Sequence, residues 1–571
     1  MKKVGSNMLA GGIILLPLLY NWVIRTRFYA ELELIIYSAT FFCVILLVYF
    51  FFINKITNKT KVSLSLSDIV IGLWYVYMFF LAWSKDWRVD AMFIWGGISN
   101  LICYIVVKKM KFQWIVINSI IISGILQSII AFLQKFGYIR SNHSFFDITG
   151  SFGNPGSLGC FLALALVASV SLFFYNKNSI LKCVFYLLSS VLILFALVLA
   201  DSRTSMLAVI VGLLIFFLHD TRKHCQKKSV LIVMLVIVFL GGIVILLYNY
   251  RVDSANARLL IWKVSLQMIC DKPICGHGLS SFNEEYMLYQ ASFFETRPDS
   301  HYSIIADNVA YPYNEFIHIG VEQGIIGMLF ILLLIVLFFK APVISSNRIF
   351  KSLLASFLIV SQFSYPANVF PLIILVPLIC ASIENVHVIK IKCFSCLIQI
   401  ILLVLMNISI LQGLKFKDYS DELKLSIREE DCMSNYLKMN FEGLKNELIF
   451  LNRMNMWLSK NQHYDLIIEY AHVLLPSCET YCEIGNAYAS KSDFDKAEYY
   501  YKIASNMVPS RIIPNYLLWK MYLNQGNNEK ADFIALKILN QNIKICNTLV
   551  LKIKEEVREY LKFLECINNM N

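Results

Sequence analysis

What most constrains this chain is the recurrence, through its first four hundred residues, of apolar runs of about 17 to 25 residues. Each is long enough to cross a roughly 30 Å hydrocarbon core as a helix. The runs lie near 8–24, 30–54, 66–83, 91–107, 113–133, 155–176, 179–200, 203–219, 229–249, 323–340, 349–365, 366–384 and 393–412, thirteen in all. In lipid, backbone polar groups pair within the segment or not at all, so the expected class is an all-α polytopic helical bundle. With 16% charged residues and 58% hydrophobic ones, against roughly 25% charged in ordinary soluble domains, a soluble enzyme is excluded. The formal net charge of +12 sits in short Lys/Arg clusters between apolar runs, as membrane topology places it. It does not form a nucleic-acid-binding face, and no nucleic acid partner is expected.

The first run follows Lys2 and Lys3, and no small-x-small cleavage site appears before Asn21, so it reads as a span and not as a signal peptide. With the N-terminus inside, the short inner loops hold 19 Lys/Arg and the outer loops 7, which favours that orientation. Parity then puts the long segment of about 250–322 outside, and with thirteen spans the C-terminal region as well. The pair at 349–384 is where a span error is expected, and such an error would move the C-terminal region.

Many of the fifteen cysteines lie inside apolar runs and read as small hydrophobes. Cys393 and Cys396 have CxxC spacing without a second pair. Cys270 with Cys275, and Cys478 with Cys482, suit disulfides in an oxidising compartment, although the latter pair, four apart on an expected helix, equally suits packing. His277, His301 and His318 are separated by 24 and 17 residues, which matches no metal-ligand spacing. No metal and no cofactor is expected.

After Gln412 charged residues return and spanning runs cease, so the chain divides into a membrane domain, 1–412, and a soluble helical domain, 413–571. Gly485, Tyr488, Ala497 and Ala504 are followed 34 residues later by Trp519, Tyr522, Ala531 and Ile538, and Pro509 closes the first unit. The period resembles the tetratricopeptide helix-turn-helix repeat, with His463 to Pro476 as a degenerate earlier unit. A plain helical bundle is the alternative. Either way this region is suited to binding, including a protein partner.

Polar residues held at a membrane are costly and mark function. One such place is the glycine-rich turn Gly150 to Gly156 with Asn154 and Pro155, a ligand-facing turn or a simple lead-in to the sixth span. A second is Asp201 to Ser205, where Arg203 is suited to bidentate phosphate contact or to snorkelling beside Asp201. The third is the outer loop, with Arg258 and Trp262, the stretch Pro273 to Gly278 with Phe282, and Tyr311 to Gly320 running into Glu322 and Gly327. This loop carries five Lys/Arg against nine carboxylates. Isolated arginines beside aromatic residues therefore suggest specific contacts, with carboxylates available for hydroxyls or proton transfer.

Taken in order, Gly-Asn-Pro before a span, Ser-Arg at the start of another, Arg-x-x-Ile-Trp, Pro-Ile-x-Gly-x-Gly-Leu-x-x-Phe, and aromatic-Asn-Glu-Phe with Glu-x-Gly-Ile-Ile-Gly resemble the O-antigen ligase and polymerase superfamily of bacterial membrane glycosyltransferases. The resemblance covers roughly residues 1 to 412, and the helical tail resembles that of longer members, including O-oligosaccharyltransferases. It implies a GT-C-type transferase of the bacterial inner membrane, with loop and tail periplasmic. Such an enzyme passes a glycan from an undecaprenyl diphosphate donor to a hydroxyl of an acceptor, a lipid A core or a protein, without metal.

Residue by residue, the resemblance implies that Arg203 and Arg258 bind the diphosphate. Many members carry His-Asn where this chain has Tyr313 and Asn314, and tyrosine, with an ordinary pKa of ~10, is a poor base. The acceptor-activating role then passes to Glu315, His318 or His301, or Tyr313 only orients the acceptor. His277, between two glycines, reads equally as a turn residue or a catalytic one. A polysaccharide polymerase of the same superfamily shares these residues. A glycolipid flippase or transporter is the remaining alternative, and no internal repeat among the spans favours it.

Overall fold

The computed structural model describes residues 30–56, 61–85, 89–176, 178–221, 252–342, 344–392, 395–426, 441 and 444–568. The expected spans at 8–24 and 229–249, and Cys393, lie outside the described residues. Helices dominate. They are α1 (Ala30–Ile56), α2 (Leu66–Ser84), α3 (Ala91–Met110), α4 (Gln113–Lys135), α5 (Pro155–Tyr175), α6 (Ile180–Leu199) and α7 (Arg203–Thr221). After these come α8 (Val252–Asp271), α9 (Ser281–Thr296), α10 (Glu315–Lys340) and α11 (Ser345–Phe363).

Seven described helices are long and apolar enough to cross a membrane, and Ile35–Tyr49, Arg203–Leu218 and Phe370–Ser382 are shorter apolar segments. Val76, Phe79, Trp83, Leu188, Phe195 and Leu329 are exposed on these helices, an apolar surface suited to lipid. The chain is an all-α polytopic membrane protein. Helix α5 is its centre, buried along most of its length and packed by α4, α6, α7 and α11. Asn154 starts this helix by accepting from the Gly156 N–H at 2.7 Å, with Pro155 in the first turn where no amide hydrogen is needed.

Among the described residues the departure from helix is one antiparallel ribbon, β1 (Lys61–Ser65) with β2 (His387–Lys392), which sets Lys61 opposite Lys392 and Ser63 opposite Lys390. Lys108 meets Asp68 at the same end of the bundle, where Gln113 bonds Glu384 and Asn347 bonds the carbonyls of Pro342 and Glu384. The segments near 61, 108, 342 and 387 therefore share one end, the same grouping that the lysine count makes.

The expected single span at 366–384 is corrected. It comprises a 3-10 turn (Pro366–Asn368) and two short helices, α12 (Phe370–Ile373) and α13 (Leu375–Ser382). Pro366, Pro371 and Pro377 each withhold an amide hydrogen and restrict the preceding residue, so a continuous helix cannot form. The adjacent run lies in α11, which is amphipathic and largely buried. Its Lys351 donates to the carbonyls of Phe339 and Ala341 at the end of α10, satisfying acceptors that the helix leaves open.

Helix α14 (Ser395–Ser426) continues past the expected boundary at 412, because a helix leaving an apolar layer need not end where its composition changes. Beyond it lie α15 (Leu448–Lys460), α16 (Tyr464–Tyr470), α17 (Cys478–Ser490), α18 (Phe494–Met507), α19 (Ile513–Asn524), α20 (Asn528–Asn540) and α21 (Thr548–Asn568). Helices α17 with α18, and α19 with α20, form consecutive pairs. Their turns match at the 34-residue spacing. Ser492 and Gly526 both have positive φ, and Asp493 and Asn527 accept from the Lys496 and Lys530 N–H groups. A Cβ on Gly485 would lie 2.5 Å from the Tyr501 ring, so only glycine permits this approach of α17 to α18.

Candidate functional site

A cavity of about 670 Å³ opens at the bundle end opposite the ribbon. Its lining combines the turn before α5 (Asn154 to Ser157), the turn into α7 (Asp201 to Thr204), the first half of α8 with Arg258 and Trp262, and Tyr313 with Tyr365. The irregular segment from Ile305 to Val309 and Lys544 of the C-terminal region complete it.

Each wall has a local cause. Two glutamines of α4, seven residues apart and so on one face, hold the glycine-rich turn. The Gln134 side chain accepts from the Thr149 and Gly150 N–H groups at 2.9 and 2.8 Å and donates to the Gly150 carbonyl, while Gln127 accepts from the Ser151 N–H and donates to the Ser151 hydroxyl. On α8, Arg258 and Trp262 are one turn apart. The Trp262 indole N–H donates to the Pro312 carbonyl at 3.0 Å, which sets the next residue, Tyr313, beneath the Arg258 guanidinium, 5.6 Å from ring centroid. Tyr313 has a positive φ of 54°, a costly conformation for a non-glycine residue that is found at functional sites. Tyr365 meets Tyr313 edge-on and stacks on Tyr311 at 4.5 Å.

The structure brings Arg203, Arg258 and Tyr313 to this one cavity. Arg258 has no carboxylate within ion-pair distance among the described residues. Burial first, and then the positive charge of Arg203, lower its pKa from the ordinary value, with Tyr313 acting the other way. Two guanidiniums that disfavour each other in a half-buried site are stabilised by an anion placed between them. Burial pushes the Tyr313 phenol up, only partly offset by Arg258, so at neutral pH it is a hydrogen-bond donor.

The other expected site residues lie elsewhere. Asn314 caps α10, accepting from the Phe316 and Ile317 N–H groups and donating to Gln362. Glu315 accepts from the Ala367 N–H at 2.8 Å. His318 stands between Glu315 and Glu322, with a carboxylate oxygen 3.3 Å from each ring nitrogen and the Phe282 ring beside it. Neither ring nitrogen is left to receive a proton from an acceptor. His301 is exposed in a 3-10 turn (His301–Ile304), its ring tilted against that of Tyr302. None of Asn314, Glu315, His318 and His301 lines the cavity.

The remaining motif is explained by a kink. Gly324 interrupts α10 with φ +64°, and the stretch Pro273 to Gly278 docks into the gap. The Ile325 N–H donates to the Pro273 carbonyl, and the His277 and Gly278 N–H groups donate to the Val321 and Glu322 carbonyls at 2.8 and 3.0 Å. A Cβ on Gly324 would lie 2.2 Å from the Ile274 carbonyl oxygen, which is why the two glycine-containing motifs occur together. His277 is buried, with its ring nitrogens on Glu285 at 2.6 Å and the Met268 carbonyl at 2.9 Å. Cys270, Cys275, Cys478 and Cys482 are free thiols. No cluster of three or more metal-ligating side chains occurs among the described residues.

Sequence reasoning missed Gln127, Gln134, Asp307, Tyr365 and Lys544. Two buried glutamines on one face of an apolar helix were a readable signal. Asp307 and Lys544 are 237 positions apart, and only the fold joins them.

Together these features define a polytopic membrane protein with an arginine-bearing cavity at one end of the bundle, walled partly by a helical C-terminal region. Residues 188–332 match the family model described as O-antigen ligase. A Rickettsia conorii protein assigned as a polysaccharide ligase is 26% identical over 257 residues, which cover 41% of this chain and 57% of that protein. The match thus spans little more than half the length of that relative. The stretch 188–332, which includes Arg203, Arg258 and Tyr313, is thus similar to the O-antigen ligase family.

Proposed function

We propose that this protein is a membrane glycan ligase of the bacterial inner membrane. It takes a glycan from an undecaprenyl diphosphate donor and transfers it to a hydroxyl of a lipid A core or a protein at the outer face. The observation that carries this reading is the presence of Arg203 and Arg258 in the lining of one cavity, with no carboxylate within ion-pair distance of Arg258 among the described residues.

In the reaction, the acceptor oxygen attacks the anomeric carbon, the bond from that carbon to the diphosphate oxygen breaks, and the electron pair leaves with the diphosphate. Arg203 and Arg258 meet the charge growing there, where few waters compete. Tyr313, held under Arg258, donates a hydrogen bond and orients the reacting groups. The acceptor proton passes to a carboxylate of the lining, and Asp201 lies there two residues before Arg203. The net acidic outer loop and the C-terminal helices stand on the same side as the cavity and offer the surface for a bulky acceptor.

The test is the surface-glycan profile of cells lacking the protein, complemented with the native chain or with Arg203→Ala or Arg258→Ala at matched expression. Full-length lipid-linked glycan accumulating beside bare acceptor, rescued by the native chain alone, supports the ligase. Accumulation of single repeat units identifies a polymerase. Full rescue by both variants removes the arginines from the reaction and reopens the transporter reading.

A further inference from the structure

The cavity is not enclosed by the membrane helices alone. Its outer wall is the segment 305–309, and that segment is clamped to the C-terminal region. The Asp307 carboxylate receives Arg511 at 2.8 Å and Lys544 at 3.2 Å. Asn308 accepts from the Cys478 N–H at 3.1 Å and donates to Glu479, which itself pairs with Arg511. Behind the wall, Gln290 of α9 donates both to the Asp307 carbonyl and, at 2.6 Å, to the Met507 carbonyl. The turn after α20 brings Lys544 into the lining of the cavity that holds both arginines.

On the reading of this cavity as the donor site, we infer that the C-terminal region completes it. Lys544 is a third cation for the donor's phosphate-bearing head, and Asp307 is the positioning residue that holds it at the wall. The soluble helices are then more than a platform for acceptors. A donor binds fully only when they are docked, which couples donor binding to the state of the C-terminal region. Lysine serves here as a flexible point charge, in contrast to the fork geometry of the two arginines. Its half-exposed position gives it a smaller, salt-sensitive share of the binding.

The experiment uses the purified full-length chain in detergent with farnesyl diphosphate as the probe, comparing Lys544→Met, Lys544→Arg, Lys544→Glu and Arg258→Ala with the native protein. Thermal unfolding serves as the control for folding, since Lys544 is exposed and its replacement leaves the fold intact. The expected result is roughly fivefold weaker binding for Lys544→Met, the scale of a half-exposed ion contact. Near-native binding is expected for Lys544→Arg, and a larger loss, shrinking as salt rises, for Lys544→Glu. A purely structural role would not produce rescue by arginine together with salt dependence. Native binding by all three Lys544 variants, with Arg258→Ala weakened, overturns the inference while leaving the donor site standing. Native binding by Arg258→Ala as well overturns the donor site itself.

Discussion

Two polar groups in this molecule share the stretch Tyr313 to Glu322 and are built in opposite ways. Around Arg203, Arg258 and Tyr313 the side chains line an open cavity, and Arg258 rests on an aromatic face with no carboxylate at ion-pair distance among the described residues. Around His318 the polar atoms satisfy one another, imidazole between two carboxylates and Glu315 on a backbone amide. The first arrangement leaves the space that the proposed function fills with a donor, and the second satisfies its own polar atoms inside the bundle. Neighbouring residues of one motif can therefore divide between chemistry and architecture, and satisfied hydrogen bonding marks the division.

The largest expected effect lies on the open side. Arg258→Ala should lower the transfer rate by about two to three orders of magnitude, the size of one lost contact to developing charge, measured with purified protein and a lipid-linked glycan. On the closed side, His318→Gln leaves Glu315 and Glu322 facing each other without the ring between them. That should cost roughly 3 kcal/mol of stability, visible as less folded protein and a lower unfolding midpoint. Gly324→Ala tests the same architecture through its backbone. A methyl 2.2 Å from the Ile274 carbonyl oxygen at positive φ should cost on the order of 2 kcal/mol without a selective effect on donor binding. A loss of donor affinity in Gly324→Ala that exceeds its loss of folded protein would break the comparison.

The smallest effect separates stability from catalysis by pH. The Glu447 carboxyl, buried beside Asp90 and accepting from the Ala91 N–H, is pushed up to about 9 from the ordinary 4.5, by burial first and Asp90 second. A carboxyl raised on folding favours the folded state at low pH, and this contribution is lost as pH rises through the folded value. Stability, and with it the unfolding midpoint, should therefore fall between about pH 5 and pH 9 through this group, and Glu447→Gln should flatten that slope. An unchanged slope in Glu447→Gln would remove Glu447 from the account.

The helical class and most span positions were readable because length and hydropathy report them directly. The broken stretch at 366–384 was not, since its apolar content hides three prolines acting in sequence. Arg203 and Arg258, which the fold brings to one cavity, stood out in the sequence through their motif neighbours. The relation of His318 to Glu315 and Glu322 was also legible, as three- and four-residue spacings on one helical face, yet spacing alone does not tell a reactive cluster from a self-satisfied one. Lys544 and Asp307 lay beyond any local pattern, because a wall assembled from opposite ends of a chain exists only after folding.

The most direct test of the central claim is a paired measurement of transfer rate per folded molecule for Arg258→Ala and His318→Gln with the same donor and acceptor. The account predicts a loss of about two to three orders of magnitude for Arg258→Ala and a rate within a few-fold of native for His318→Gln. The reverse pattern, an inactive but folded His318→Gln beside an active Arg258→Ala, would contradict it and move the chemistry from the cavity to the buried histidine.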